Sequence, residues 1–458
     1  MRSRAILTAY AVVAVLWIGV RASVFLPSRV IEFPDSVSFF TKATEPVWTA
    51  DFFVGSGRFF IVPLLYKVAF AIGGQSRTSL TAMQFLLSLC AWIALAWSLA
   101  RPFGIRWGGV FSFALVLAFG LSTDVIQWES AILSESVSTS LFVLLMAVWV
   151  QLKDGIAIGK LVAVTFLAAA WSMSREANSL VLLPLAVGLA LWAWWYQRGD
   201  RLQQVRCLVL AGALVAIAAG TFAISGSGDR WVFPLLNVIG KRVLPSPQRT
   251  AFYQNRGMPV TPRLMDMSGE FASGKEWAFY TAPELDGFRA WLARDGKKVF
   301  AQDLLTHPVR STLEPLPDLS EFVCPILSPY WSSVGFTPVY PYAYGQWFCQ
   351  PGSATAIVVI SLILGFGLMV AAFFLRGRSP SSDGFRILTV GPLLAGWLPF
   401  VWFTWHVIGQ MEISRHVWSG VFAFRVGVLL LVLYLVEMAW RRTLRRQGGT
   451  EPVYGTPV

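Results

Sequence analysis

Ten apolar runs divide this chain, near 5–25, 79–100, 107–123, 134–152, 157–173, 179–196, 207–225, 353–375, 387–408 and 417–440. A helix needs roughly 20 mostly apolar residues to cross a bilayer. Lipid cannot satisfy an open backbone, so helix is the expected form of each run. The chain therefore reads as an all-α polytopic membrane protein of about ten transmembrane helices. Composition agrees: 14% of residues are charged and mean hydropathy is +0.59, whereas a soluble domain carries about 25% charge.

The basic residues between the runs fall on alternate sides. With the N-terminus inside, Arg2, Arg4, Arg101, Arg106, Lys153, Lys160, Arg198, Arg201, Arg206, Arg376, Arg378, Arg386, Arg441, Arg442, Arg445 and Arg446 are all cytoplasmic. This is the positive-inside bias. It assigns the net charge of +12 to anionic membrane lipid as partner, with no nucleic acid expected. Both termini are then cytoplasmic, in a cell inner (plasma) membrane. The first run has no small-residue cleavage site and is long for a signal peptide, so it is read as a retained anchor.

The expected layout is an N-terminal transmembrane module over 1–225 with outer loops 26–78 and 124–133. A large outer region over 226–352 follows, then C-terminal transmembrane helices over 353–446 and a cytoplasmic tail over 447–458. The stretch 59–73 is apolar but short, with Pro63 and Lys67 inside, and is read as an interfacial or re-entrant helix. The outer region holds 14 of the 25 prolines, which excludes long helices from most of it. Phe288, Trp291, Leu292, Phe300 and Leu304 share one helical face over 284–305, which predicts an amphipathic helix on the membrane surface. The 21 tryptophans are expected mainly in interfacial belts. Cys90 and Cys207 read as packing residues. Cys324 and Cys349 share the outer region, where a disulfide is an open alternative.

Four polar segments flank spans on the outer side: 33–40 with Asp35, 122–140 with Asp124, Glu129 and Glu135, 172–179 with Arg175 and Glu176, and 406–416 with His406, Glu412, Arg415 and His416. Ionisable groups at span ends are costly unless paired or functional. On this topology all four share one membrane face. A carboxylate beside an apolar wall can accept a proton from a hydroxyl, and arginine grips phosphate with a planar fork. Together these suit movement of a sugar from a lipid-phosphate carrier to an acceptor hydroxyl.

In four places the chain resembles the GT-C superfamily of polyprenyl-phosphate-dependent glycosyltransferases. These are Pro34-Asp35-Ser36 in the first outer loop, the stretch Gly57, Arg58, Pro63, Leu64, Leu65, Tyr66, the acidic opening Leu133-Ser134-Glu135-Ser136, and a large Pro-rich outer region before the last spans. The resemblance implies Asp35 as general base, with Glu129 or Glu135 ordering acceptor, phosphate or metal. It implies Arg175 and Arg415 on the carrier phosphate, with Arg58 and His416 beside them. The family's acidic pair has an aspartate where this chain has Glu135. No cofactor is fixed, although a divalent metal (Mg or Mn) is compatible. The implied partners are a polyprenyl-phosphate-linked sugar donor and a glycan, lipid or protein acceptor.

Simpler readings stand beside these. Asp35 and Glu135 can cap helices, and Arg175 can be a snorkelling anchor. As a whole, the chain can also be read as a membrane transporter or lipid flippase, or as a scaffold whose outer region binds a partner.

Overall fold

The computed structural model describes residues 2–28, 30–49, 52–53, 59–103, 106–227, 229–323, 353–376, 381–409 and 412–446. Arg58, Cys324, Cys349 and the tail from 447 lie outside them. The described chain is an all-α polytopic membrane protein. Its main helices are α1 (Arg2–Phe25), α2 (Ser36–Thr44), α3 (Ile61–Gly73), α4 (Arg77–Ala100), α5 (Trp107–Phe119), α6 (Ser134–Trp149), α7 (Ile158–Ser172), α8 (Ser179–Tyr196), α9 (Arg201–Ser227), α10 (Ser353–Leu375), α11 (Ser381–Ile408) and α12 (Ile413–Arg446).

Each of the ten apolar runs is helical. Among the described residues eight helices are long and apolar enough to cross a membrane, while α5 and α7 are shorter than the runs that contain them. Helix α3 has 13 residues, about 20 Å at 1.5 Å per residue, too short to span. Its Lys67 donates from Nζ to the carbonyls of Ala43 (3.0 Å) and Glu45 (2.6 Å) at the end of α2.

Two close helix contacts require glycine. A Cβ on Gly188 of α8 would lie 2.0 Å from the Leu388 carbonyl oxygen of α11, and one on Gly365 of α10 would lie 2.8 Å from the Gly391 carbonyl of α11. Small residues of this kind let membrane helices approach without a hydrophobic drive between them.

Seven tryptophans are buried inside the bundle: Trp92, Trp149, Trp171, Trp192, Trp397, Trp405 and Trp418 are at most 2% exposed. Burial of an indole N–H needs an acceptor. Trp149 donates to Thr389 Oγ1 (3.0 Å), Trp192 to the Ser381 carbonyl (3.0 Å) and Trp397 to Ser361 Oγ (3.1 Å). These bonds join helices distant in sequence.

The outer region has its own apolar core, built around Leu236, Ile239, Tyr253, Phe279, Phe288, Trp291 and Leu292. The amphipathic stretch is helical from Pro283 to Thr306, with a π-helical turn at Leu292–Gly296. Of its apolar face, Phe288, Trp291 and Leu292 are in this core and Phe300 packs against it. A second set of contacts fastens the region to α11. Arg242 donates from Nη2 to the carbonyls of Trp405 (3.2 Å) and His406 (2.9 Å) and stacks on the Trp405 ring (4.1 Å to the centroid). A cation on the open carbonyls of a helix C-terminus is a favourable placement. His406 Nε2 meets the Ser311 carbonyl (2.7 Å) and Trp405 donates to Asp318 Oδ2 (2.7 Å), so both residues serve this junction.

Candidate active site

Two loops are held in register at one end of the bundle. A parallel bridge joins Ile31 to Ala131, with the Ile31 N–H donating to the Ser130 carbonyl (2.8 Å) and the Ile132 N–H to the Ile31 carbonyl (3.0 Å). Ser36 Oγ donates to the Ile132 carbonyl (2.6 Å). Gln84 of α4 donates to the carbonyls of Glu129 (3.0 Å) and Ala131 (2.9 Å), and Tyr66 Oη reaches both Gln84 Oε1 (2.8 Å) and the Leu133 carbonyl (3.0 Å). All of these groups are buried, so their backbone needs partners, and each bond fixes the loop it touches.

This rack places Asp35 at the N-cap position of α2 and Glu135 in the first turn of α6. Neither is a conventional cap: α2 has no side-chain capping bond, and the N-cap of α6 is Leu133. Both carboxylates instead face Arg415. Its Nε donates to Glu135 Oε1 (2.6 Å), its Nη2 to Asp35 Oδ2 (2.9 Å) and its Nη1 to Glu412 Oε2 (2.7 Å). Arg175 Nη1 lies 3.1 Å from the same Glu135 oxygen, and its Nη2 donates to the Arg415 carbonyl (3.2 Å). Glu412 has φ +48, a left-handed conformation that costs a side-chain-bearing residue of order 1 kcal/mol or more. Gly409, three residues earlier, has φ +65, and a Cβ there would lie 2.6 Å from the backbone nitrogen of Val238.

Burial separates the roles of the three carboxylates. The Glu135 side chain is 0% exposed, that of Glu412 13% and that of Asp35 40%, while Arg415 is 8% exposed. Glu135 is the fixed counter-charge of two arginines, and Asp35 is the member that faces outward. His416 follows Arg415 on the same turn, and its N–H donates to the Glu412 carbonyl (3.1 Å). The charges acting on its ring are those of Arg415, Arg175, Glu135 and Glu176. Glu176 itself pairs with Arg230 (3.2 Å) at the start of the outer region.

Glu129 is placed apart from this cluster. Its carboxylate pairs with Nη2 of Arg21 of α1, which also donates to Ser88 Oγ (2.9 Å), while Nη1 donates to the Gly120 carbonyl (2.7 Å). Burial pushes the Glu129 carboxyl up to about 7, against the opposing pull of Arg21. Sequence reasoning missed Arg21, Gln84 and the contribution of Glu412. Arg21 carried a readable signal, a basic residue at the outer end of the first apolar run.

Arg415 occupies the position between the carboxylates that a cation would take. Among the described residues no group of three His, Cys, Asp or Glu side chains is arranged to hold a metal, so the donor set does not fit one.

No family model matches the chain, and no curated protein matches it. Among solved structures, it is similar to the archaeal oligosaccharyltransferase AglB from Archaeoglobus fulgidus in complex with an inhibitory peptide and a dolichol-phosphate. The identity is 12% and the TM-score 0.45, and the match covers 98% of this chain and 52% of that one. The chain therefore spans about half the length of that protein.

Proposed function

We propose that the chain is an integral membrane glycosyltransferase that moves a sugar from a polyprenyl-phosphate donor to an acceptor hydroxyl on the outer face of the membrane. The observation that carries this reading is the convergence of Asp35, Glu135, Arg175 and Arg415, from four separate parts of the chain, on one ion cluster. In this reading Asp35 is the general base. The acceptor oxygen attacks the anomeric carbon and the bond from that carbon to the phosphate oxygen breaks. The phosphate leaves with the bonding electrons, and the hydroxyl proton passes to Asp35.

Two arginines face three carboxylates, so a phosphate cannot simply be added to the cluster. The Asp35–Arg415 contact is the exposed one and is the contact we assign to exchange. A donor phosphate takes the Nη2 face of Arg415, and Asp35, displaced, turns to the acceptor. Glu135 keeps Arg175 and Arg415 parallel and charged, which makes it a positioning residue rather than a ligand of substrate. No step is routed through a metal. Glu129, held on Arg21, supports the loop that carries Glu135, and His416 lines the floor beside Arg415.

Native mass spectrometry of the purified protein with its retained lipid tests the donor assignment. A polyprenyl phosphate, with or without sugar, that is lost from Arg175→Ala and Arg415→Ala supports it. Retention of phospholipid alone, unchanged by either substitution, overturns it.

A further inference from the structure

The opposite end of the bundle offers a second binding site, independent of the transfer chemistry. Glu135 and Lys153 lie on one apolar helical stretch, Ser134–Asp154, and are separated by about 27 Å at 1.5 Å per residue. That is close to the roughly 30 Å hydrocarbon thickness of a bilayer. There a narrow cleft opens between α4, the turn that continues α6, α11 and α12. Its walls are apolar, with Val150, Leu430 and Leu433 among them, and Lys153, Arg386 and Glu437 stand at its polar end.

The charge around that end is unbalanced. Arg386 Nη2 donates to Glu437 Oε1 (2.9 Å), which also accepts from Arg441 (2.6 Å). The Nη1 of Arg386 is buried without a hydrogen-bond partner, 3.6 Å from Asp383 Oδ1. Lys153 donates to Asp154 (2.7 Å). Lys160 reaches only the carbonyls of Gln151 and Gly155, and Arg101 only the Gln151 side chain. Among the described residues, five basic side chains at this end, Arg101, Lys153, Lys160, Arg386 and Arg441, stand with three acidic ones, Asp154, Asp383 and Glu437. An apolar slot ending in a cationic excess, at the depth of one membrane surface, matches an amphiphile with an anionic head.

We propose that this cleft binds an anionic phospholipid of the cytoplasmic leaflet, with one acyl chain between α4, the turn that continues α6, α11 and α12 and the headgroup phosphate against Lys153 and Arg386. A polyprenyl phosphate shares this chemistry, but its reacting phosphate belongs to the cluster about 27 Å away. The side is fixed by the same basic bias that gathers Arg101, Lys153, Arg386 and Arg441 at this end.

The test uses the full-length protein in detergent, stripped of lipid and titrated with phosphatidylglycerol or phosphatidylcholine of identical chains, with bound lipid read by native mass spectrometry. Phosphatidylglycerol is expected to be retained preferentially. Lys153→Gln and Arg386→Gln should each weaken that retention about fivefold, and Val150→Trp, which fills the slot, should abolish it. Lys153→Gln carries the test if the filled variant does not fold, because Lys153 pairs with the exposed Asp154 and the substitution keeps a polar side chain of similar length. Equal retention of the two lipids, or phosphatidylglycerol retention unchanged by Lys153→Gln and Arg386→Gln, overturns the proposal. So does stronger retention of an added polyprenyl phosphate than of phosphatidylglycerol, lost in the same variants. A failure of the transfer reading leaves these lipid measurements untouched.

Discussion

The Nε of Arg415 lies 2.6 Å from Oε1 of Glu135 across 280 positions of sequence. This contact closes the bundle, because it ties the last spanning helix to α6. It also fixes the orientation of the guanidinium, whose remaining nitrogens face Asp35 and Glu412. One buried pair therefore serves both packing and the geometry of the site.

Glu135→Gln should leave Arg175 and Arg415 facing one another without their shared counter-charge. Breaking a buried ion pair from one side costs about 3–5 kcal/mol, and Glu135 is 0% exposed. Denaturant unfolding in detergent is expected to show a loss of that order. A loss below about 1 kcal/mol would place the pair in solvent-like surroundings.

Arg415→Lys keeps the charge but replaces a three-nitrogen fork by one ammonium group. Binding of a polyprenyl-phosphate donor is expected to fall at least tenfold, by titration of the purified protein. The fold should be kept, because the cation still offsets Glu135. Unchanged donor affinity would remove Arg415 from the phosphate site.

Gln84→Met removes a donor from the carbonyls of Glu129 and Ala131 and an acceptor from Tyr66. Each buried group left unsatisfied costs about 1–3 kcal/mol. Loss of stability should come with faster hydrogen exchange at Ile31 and Ile132, whose N–H groups hold the bridge. Unaltered exchange there would mean that the rack does not depend on Gln84.

Glu129 gives a pH signature. Its folded carboxyl is pushed up to about 7 from an ordinary 4.5. Between those values the folded state holds a proton that the unfolded state has released, so stability falls as pH rises. The contribution is fully present below about 4.5 and lost through about 7, roughly 3 kcal/mol in all. Glu129→Gln should flatten this part of the stability–pH curve. The same slope in the variant would assign it to another group.

Much of this arrangement was legible in the sequence, and the limits have physical causes. Alternating basic residues placed the segments of Asp35, Glu135, Arg175 and Arg415 on one face, and the structure brings these four together. Which carboxylate meets which arginine was not legible, because it depends on the rotation of α6 and α12 about their axes. The Arg21–Glu129 pair was hidden for the same reason. The periodicity of 284–305 gave a correct helix, but not what its apolar face would meet. A surface helix and a helix in a small outer core have the same pattern. Which tryptophans are buried was not legible from composition: Trp149 and Trp397 find hydroxyl acceptors on neighbouring helices and so can be buried.

The most direct test of the proposed chemistry is release of free polyprenyl phosphate from lipid-linked sugar by the purified protein, comparing the native chain with Asp35→Asn. Asp35 is 40% exposed, so the substitution should change stability by less than about 1 kcal/mol. Removal of a general base is expected to lower the rate by about 10²–10⁴-fold, with donor binding retained. Release at the native rate by a folded Asp35→Asn protein would contradict the assignment of the site.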